Sequence, residues 1–201
     1  MRGIVMPAVR PAMLLAALLA MGATLAPAAQ ARPFDPVAPE RAAPFGDRVP
    51  AGFTNYDRVS PTVATVGRLE PAAVDAARAL GFRRMIDLRQ ADEPGVAEAA
   101  ARARAIGLER IHLPMPARAA DIPAFMDRLA PLIEDAGGYP LLLACGSANR
   151  AAAAWALYRA RTGVPARIAI EEGRAAGLTS REALVREVLG LPPLVTAAAV
   201  P

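Results

Sequence analysis

The sequence predicts an α/β fold built on a mainly parallel central sheet of about four to five strands flanked by helices, and three observations lead there. Short apolar runs alternate with helical stretches of about ten residues or more, the pattern of strand–helix–strand units. One run, PLLLAC from Pro140 to Cys145, is apolar throughout, as strands buried on both faces are. Glycines stand where the helices should close, at Gly81, Gly107, Gly137 and Gly177.

The elements follow in order. Residues 32–52, RPFDPVAPERAAPFGDRVPAG, are Pro-rich and irregular and read as an N-terminal arm draped over the domain. In FTNYDRVSPTVATVGRLEP, the residues Tyr56, Val59, Val63 and Val66 lie among turn formers and predict two short strands around Ser60-Pro61. Pro71 to Leu80 is a helix ending at Gly81, and FRRMIDLR is a strand. Pro94 to Ile106 is an Ala-rich helix closed by Gly107, and ERIHLPM is the next strand. Asp121 stands where it can cap a helix from Ile122 to Ala136, closed by Gly137-Gly138. After PLLLAC come helices over Ser147–Thr162 and Ala166–Ala176, and Ser180 opens a last helix to about Leu189. The compact domain therefore spans residues 53–190, with a tail over 191–201. In parallel sheets, ligands bind beyond the carboxyl ends of the strands. Cys145, Arg89 after MIDL, and Pro114-Met115 after RIHL are expected to converge there.

Upstream of the domain, Arg2 and Arg10 precede an apolar run from about Met13 to Ala26, followed by Ala29-Gln30-Ala31. This is the layout of a secretory signal peptide over residues 1–31, cleaved after Ala31, and it predicts a periplasmic or secreted protein. The run is shorter than the roughly 20 residues that span a bilayer, so no stable membrane insertion is expected after leader removal, the alternative being an uncleaved membrane anchor. The chain has 201 residues and a formal net charge of +4, and its 23 basic residues are all arginines. They are scattered and form no stripe of the kind that holds nucleic acid. A single cysteine excludes an intramolecular disulfide and cysteine-rich zinc sites. His112 is the only histidine, and its spacing does not favour a Cys145–His112 pair.

Chemistry concentrates in Cys145-Gly146-Ser147-Ala148-Asn149-Arg150, between the apolar strand and a helix. A helix N-terminus presents unpaired N–H groups and a partial positive charge, which suits an anion and favours a cysteine thiolate. Gly146, Ser147, Ala148 and Asn149 can form an anion nest, and Arg150 can fold back as a planar fork onto two oxygens of a phosphate. Ser147 is placed to donate to the departing thiolate, and Asn149 to donate to phosphate or brace the loop. The competing reading is a buried, inert thiol beside a solvated arginine.

These residues resemble the beta-lactamase-hydrolase-like phosphatase family, a branch of the dual-specificity and tyrosine phosphatase superfamily. The likeness runs through Val59-Ser60-Pro61-Thr62-Val63-Ala64-Thr65-Val66-Gly67, through Ala79-Leu80-Gly81-Phe82, and through Ile86-Asp87-Leu88-Arg89. It continues through Gly107-Leu108, His112-Leu113-Pro114, the Cys145 loop, Trp155-Ala156-Leu157-Tyr158 and Glu171 to Leu178. It covers roughly residues 53–190. The resemblance implies a phosphatase-like α/β fold, Cys145 as nucleophile, Arg150 as phosphate clamp, a phosphorylated protein or small phosphomonoester as substrate, and neither metal nor other cofactor. Asp121 is the only carboxylate in the loop after His112-Leu113-Pro114 and is the expected general acid, unless it serves only as a helix N-cap. Asp87 is an alternative acid with a more structural character. Arg89 adds positive potential or pairs with Glu93, and His112 is expected to hydrogen-bond at its strand.

The sequence departs from the family pattern at four points. Four residues separate Cys145 from Arg150, where most tyrosine phosphatases have five. Four is also the spacing of rhodanese-like sulfurtransferases, whose cysteine carries a persulfide. Ala144 replaces the usual histidine, and Arg68 a usual glutamine. Ala148 replaces an expected glycine, which costs about 1 kcal/mol or more if that position has positive φ. Three functions follow: an exported cysteine-dependent phosphatase, a rhodanese-like sulfurtransferase, or a catalytically weak anion-binding module. The sequence does not set the oligomeric state.

Overall fold

A computed structural model describes residues 41–194 of the chain. The expected leader, the first part of the Pro-rich arm and the last residues of the tail lie outside the described residues. The elements run β1 (Val63–Val66), α1 (Pro71–Ala79), β2 (Arg84–Asp87), α2 (Val96–Ala105), β3 (Glu109–His112), α3 (Ile122–Glu134), β4 (Leu141–Ala144), α4 (Asn149–Arg161), α5 (Ala166–Ala175) and α6 (Glu182–Val188).

The four strands form one sheet in the order β1-β4-β2-β3, and every neighbouring pair is parallel. The all-apolar β4 lies inside it and is buried along its whole length. Alternation splits its side chains between two cores. Leu142 and Ala144 face α1 and α2, packing with Val74, Phe82, Met85 and Leu108. Leu141, Leu143 and Cys145 face the other helices, packing with Phe125, Leu129, Trp155 and Ile170. The register aligns Val66, Ala144, Asp87 and His112 in one row at the carboxyl edge. The loops after all four strands therefore leave from the same edge, as expected from the parallel pattern.

The two strands expected around Ser60-Pro61 reduce to one. Ser60 Oγ accepts from the backbone N–H groups of Thr62 and Val63 and makes a tight turn. Upstream of it the chain meets the sheet only at an isolated antiparallel bridge, Asp57 to Thr65. Asn55, with φ 52°, breaks the extended run that a second strand needs. Backbone conformation also trims helix starts. Left-handed Gly95 delays α2 past Pro94, and left-handed Ala148 delays α4 past Ser147. The arm closes against this segment: Ala43 N–H donates to Pro61 O at 2.7 Å, and Tyr56 Oη to Pro44 O at 2.6 Å.

The alanines of α4 have a packing reason. Ala151 through Tyr158 are all buried, so this helix has no solvated face. A Cβ on Gly173 of α5 would lie 3.0 Å from Ala156 Cβ and 3.3 Å from Ala152 O. Small residues on both helices let α5 approach α4 closely and hold the start of α4 under the Cys145 loop. No helix of the described residues is long and apolar enough to cross a membrane.

Candidate active site

Cys145 follows the last residue of β4, is 1% exposed, and donates its N–H to Val66 O at 3.2 Å. Beyond it the loop runs along the end of β1, where Gly67 and Ser147 form an isolated bridge. A Cβ on Gly67 would stand 2.9 Å from Thr54 O and 3.4 Å from Ser147 Cα, so only glycine permits this approach. Asn55 Nδ2 donates to Ser147 O at 3.2 Å and closes the same side. Ser147 itself is exposed at the loop surface.

Ala148 adopts φ 68°, ψ −17°, so the strain expected at this position is present. A left-handed alanine costs about 1–2 kcal/mol. Its fully buried methyl packs toward the α5–α6 junction, where a Cβ on Gly177 would come within 3.4 Å of it. Asn149 braces that junction. Its Oδ1 accepts from Thr179 N at 2.9 Å and Arg181 N at 3.3 Å, and its Nδ2 donates to Ser180 Oγ at 2.7 Å. Both ends of the amide are thus engaged at that junction, so of the two roles expected for Asn149 its side chain takes the bracing one. The same bonds explain why α6 begins after Ser180 rather than at it.

Arg150 opens the first turn of α4 and folds back over the loop. Its Nη2 would lie 3.1 Å from a Cβ on Gly146, so the absence of a side chain there gives the guanidinium its place. Glu93, on the loop after β2, holds it there in a two-pronged pair: Nη1 donates to Oε1, and Nη2 to Oε2 at 2.6 Å. Glu93 Oε1 also accepts from Gln90 N at 2.6 Å. The hydrogen bonds from Arg150 are the main reason the Glu93 carboxyl is held below its ordinary range, against the opposing effect of burial. Those same bonds keep Arg150 firmly protonated; burial works against this, and the neighbouring Cys145 sulfur adds to it.

Asp87 and Arg89 do something else. Asp87 is fully buried, and its oxygens accept from Arg89 Nε at 2.9 Å, Arg89 Nη2 at 2.7 Å and Arg110 Nη2 at 2.9 Å. Burial pushes its carboxyl up, but the hydrogen bonds and charges of Arg89 and Arg110 outweigh that and hold it low. Asp87 is therefore an ionised anchor beneath the loops and not a proton donor. Arg89 is 2% exposed and donates its remaining Nη1 to Pro94 O, so its partner is Asp87 and not Glu93. His112 Nε2 lies 2.9 Å from Arg89 O. A carbonyl only accepts, so Nε2 carries the hydrogen, and the ring braces the end of β2 as expected.

Asp121 stands at the N-cap position of α3 but makes no capping bond. Its oxygens instead accept from Arg118 Nε and Nη2, each at 2.8 Å. Those bonds lower its carboxyl below the usual range. The side-chain cap expected of Asp121 is therefore absent, and both carboxylate oxygens are paired with Arg118. A second reason lies in the backbone: φ −91°, ψ −10° is helical, whereas a capping side chain needs an extended residue.

Sequence reasoning missed Glu93 as the partner of Arg150, and Arg110 as the second cation on Asp87. For Glu93 the usable signal was its place on the loop directly after the Asp87-Leu88-Arg89 strand end, at the same sheet edge as Cys145. Among the described residues, no three or more His, Cys, Asp or Glu side chains gather as a metal site requires.

The model of the family described as beta-lactamase hydrolase-like protein, phosphatase-like domain, matches residues 55–162. No curated protein sequence matches. Several solved structures share the architecture. A candidate phosphatase from Neisseria meningitidis is 23% identical with a TM-score of 0.52, covering 68% of this chain and 96% of its own. The core catalytic domain of the PP-IP phosphatase SIW14 from S. cerevisiae is 12% identical with a TM-score of 0.56, covering 69% and 86%. TpbA of P. aeruginosa is 21% identical with a TM-score of 0.50, covering 71% and 95%. At such identities the likeness establishes a phosphatase fold. The family match takes in more than half of the chain, including both Cys145 and Arg150, and the chain belongs to the beta-lactamase hydrolase-like phosphatase family.

Proposed function

We propose that the protein is an exported, cysteine-dependent phosphatase that hydrolyses phosphomonoesters through a cysteinyl-phosphate intermediate. One observation carries this reading: Arg150 is folded back over Gly146, beside the Cys145 sulfur, at the carboxyl end of an inner parallel strand. The N–H groups of Arg150 not held by Glu93 would grip non-bridging oxygens, and the α4 N-terminus would face another with its N–H groups. Phosphorus is then held in line with the sulfur.

In the first step the Cys145 thiolate attacks phosphorus. An S–P bond forms, the ester P–O bond breaks, and the leaving oxygen takes the bonding pair. In the second step water attacks the thiophosphate: an O–P bond forms, the S–P bond breaks, and thiolate and inorganic phosphate are released. The substrate class is a phosphorylated protein or a small phosphomonoester, and export rests on the leader layout. The test is turnover of p-nitrophenyl phosphate by the full chain and by Cys145→Ser. Native turnover that the variant abolishes is expected; no native turnover, or equal turnover by the variant, rejects the reading.

The four-residue loop keeps one rival in view, a sulfurtransferase with a Cys145 persulfide. A thiosulfate–cyanide assay, with mass spectrometry for the persulfide, separates the two. Vanadate binding without turnover of any phosphate would leave the anion-binding module.

A further inference from the structure

We propose that this enzyme acts on phosphoryl groups whose leaving oxygen departs as a stable anion, as in acyl phosphates and phosphoanhydrides, and not on alkyl phosphoesters. The proposal rests on the cysteine-phosphatase reading above and narrows its substrate class.

An alkoxide is a poor leaving group unless an acid protonates it as the P–O bond breaks, and a positioned acid contributes roughly 10²–10⁴ in rate. That acid must reach the site carrying its proton. Three of the acids at this sheet edge are otherwise engaged. Asp87 is sealed under Arg89 and Arg110. Glu93 gives both oxygens to Arg150. Asp121 gives both to Arg118. A guanidinium bound to both oxygens favours the charged carboxylate, which has no proton to give.

Nor is Asp121 carried on a loop free to swing. Met115 N–H donates to Leu88 O at 3.1 Å, and Gln90 Nε2 donates to Met115 O at 3.1 Å. Arg181 Nη1 donates to Pro116 O at 3.4 Å, and the Ala119–Asp121 turn packs against α6. Met115 and Ile122, on either side of the loop, are both fully buried. Both ends of the loop that carries Asp121 are thus anchored in the core. Asp92, exposed beside Glu93, is the remaining acid on the loop after β2, and the experiment includes it.

Without an acid the first step still balances. The S–P bond forms, the P–O bond breaks, and the leaving oxygen departs with its electron pair, unprotonated. The barrier then follows the basicity of that oxygen. A carboxylate or a phosphate leaves readily, with conjugate acids near pKa 4 and 6 respectively, about 10 for a phenol. An alkyl hydroxyl is close to water, at roughly 15.7.

The experiment measures kcat/KM of the full chain across acetyl phosphate, ADP, p-nitrophenyl phosphate, phenyl phosphate and glycerol phosphate. A steep fall with leaving-group pKa is expected, with phenyl phosphate at least about a hundredfold slower than p-nitrophenyl phosphate. The slope should persist in Asp121→Asn and Asp92→Asn. Comparing acetyl phosphate with ADP assigns the acyl phosphate or the anhydride as the preferred source. A flat series, or a series that steepens when either aspartate is replaced, overturns the proposal. Turnover of p-nitrophenyl phosphate that depends on Cys145 is scored separately. Its failure removes the phosphatase itself, whereas a flat series with Cys145-dependent turnover removes only the leaving-group inference.

Discussion

Two arginine–carboxylate assemblies lie at the carboxyl end of β2, and they are built for opposite purposes. Asp87 with Arg89 and Arg110 is sealed, the three side chains being 0%, 2% and 11% exposed. Glu93 with Arg150 is half open, at 28% and 15%. In the sealed group the carboxylate is saturated with donors, and Arg89 has its own donors committed within the protein. In the open group only two of the five N–H donors of a guanidinium go to Glu93, and the rest face the Cys145 side, where an anion would sit. Burial and donor saturation thus separate a group that fixes the loops from one that can take a ligand, although both are the same chemical pair.

The largest effect is expected at the sealed end. Asp87→Asn leaves two largely buried guanidiniums without their charge partner, and breaking a buried pair costs about 3–5 kcal/mol. A lowered urea midpoint is expected, with residual activity tracking the folded fraction. The native pair also fixes the pH response. Because the folded Asp87 carboxyl is held below its unfolded value of about 3.9, its stabilisation is complete above that pH and is lost as pH falls through the folded value. Acid unfolding followed by circular dichroism should show this loss, and Asp87→Asn should flatten it.

At the open end, Glu93→Gln should spare the fold and injure the reaction. A part-exposed pair contributes about 1 kcal/mol or less to stability, so the thermal midpoint should move by only a few degrees. A misaligned fork should lower kcat/KM about ten- to a hundredfold, read on p-nitrophenyl phosphate. A midpoint collapse comparable to that of Asp87→Asn would erase the distinction between the two assemblies. The smallest effect is expected for Asn149→Ala, which removes the brace to Thr179, Ser180 and Arg181: about 1 kcal/mol of stability and a severalfold weaker inhibition by inorganic phosphate.

Much of the frame was legible because it depends on local pattern. Alternating apolar and helical stretches, the all-apolar Leu141–Ala144 and the closing glycines give four parallel strands with the loops on one edge. Cys145 and Arg150 were legible for the same reason, since both belong to one strand–loop–helix unit. The partners were not. Arg89 and Glu93 are close in sequence and looked like a pair, yet Arg89 turns back to Asp87 two residues away, while Glu93 reaches Arg150, 57 residues on. That choice depends on which strands are neighbours, and β2 beside β4 is a tertiary fact. Asn149 likewise finds its partners some 30 residues downstream. Asp121 was misread for a different reason: its place before a helix suggested a cap, and only the three-dimensional position of Arg118 shows where its oxygens go.

Ala148 has an evolutionary consequence. Its methyl is fully enclosed and in a backbone region that already disfavours side chains, with Gly177 of the α5–α6 junction standing against it. Gly177 is itself left-handed, at φ 98°, and cannot shrink further to admit a larger neighbour. Substitutions at the two sites should therefore show strong epistasis. Glycine should be accepted at 148, with the backbone strain relieved, and anything bulkier than alanine should be purged unless the junction behind it is rebuilt in the same lineage.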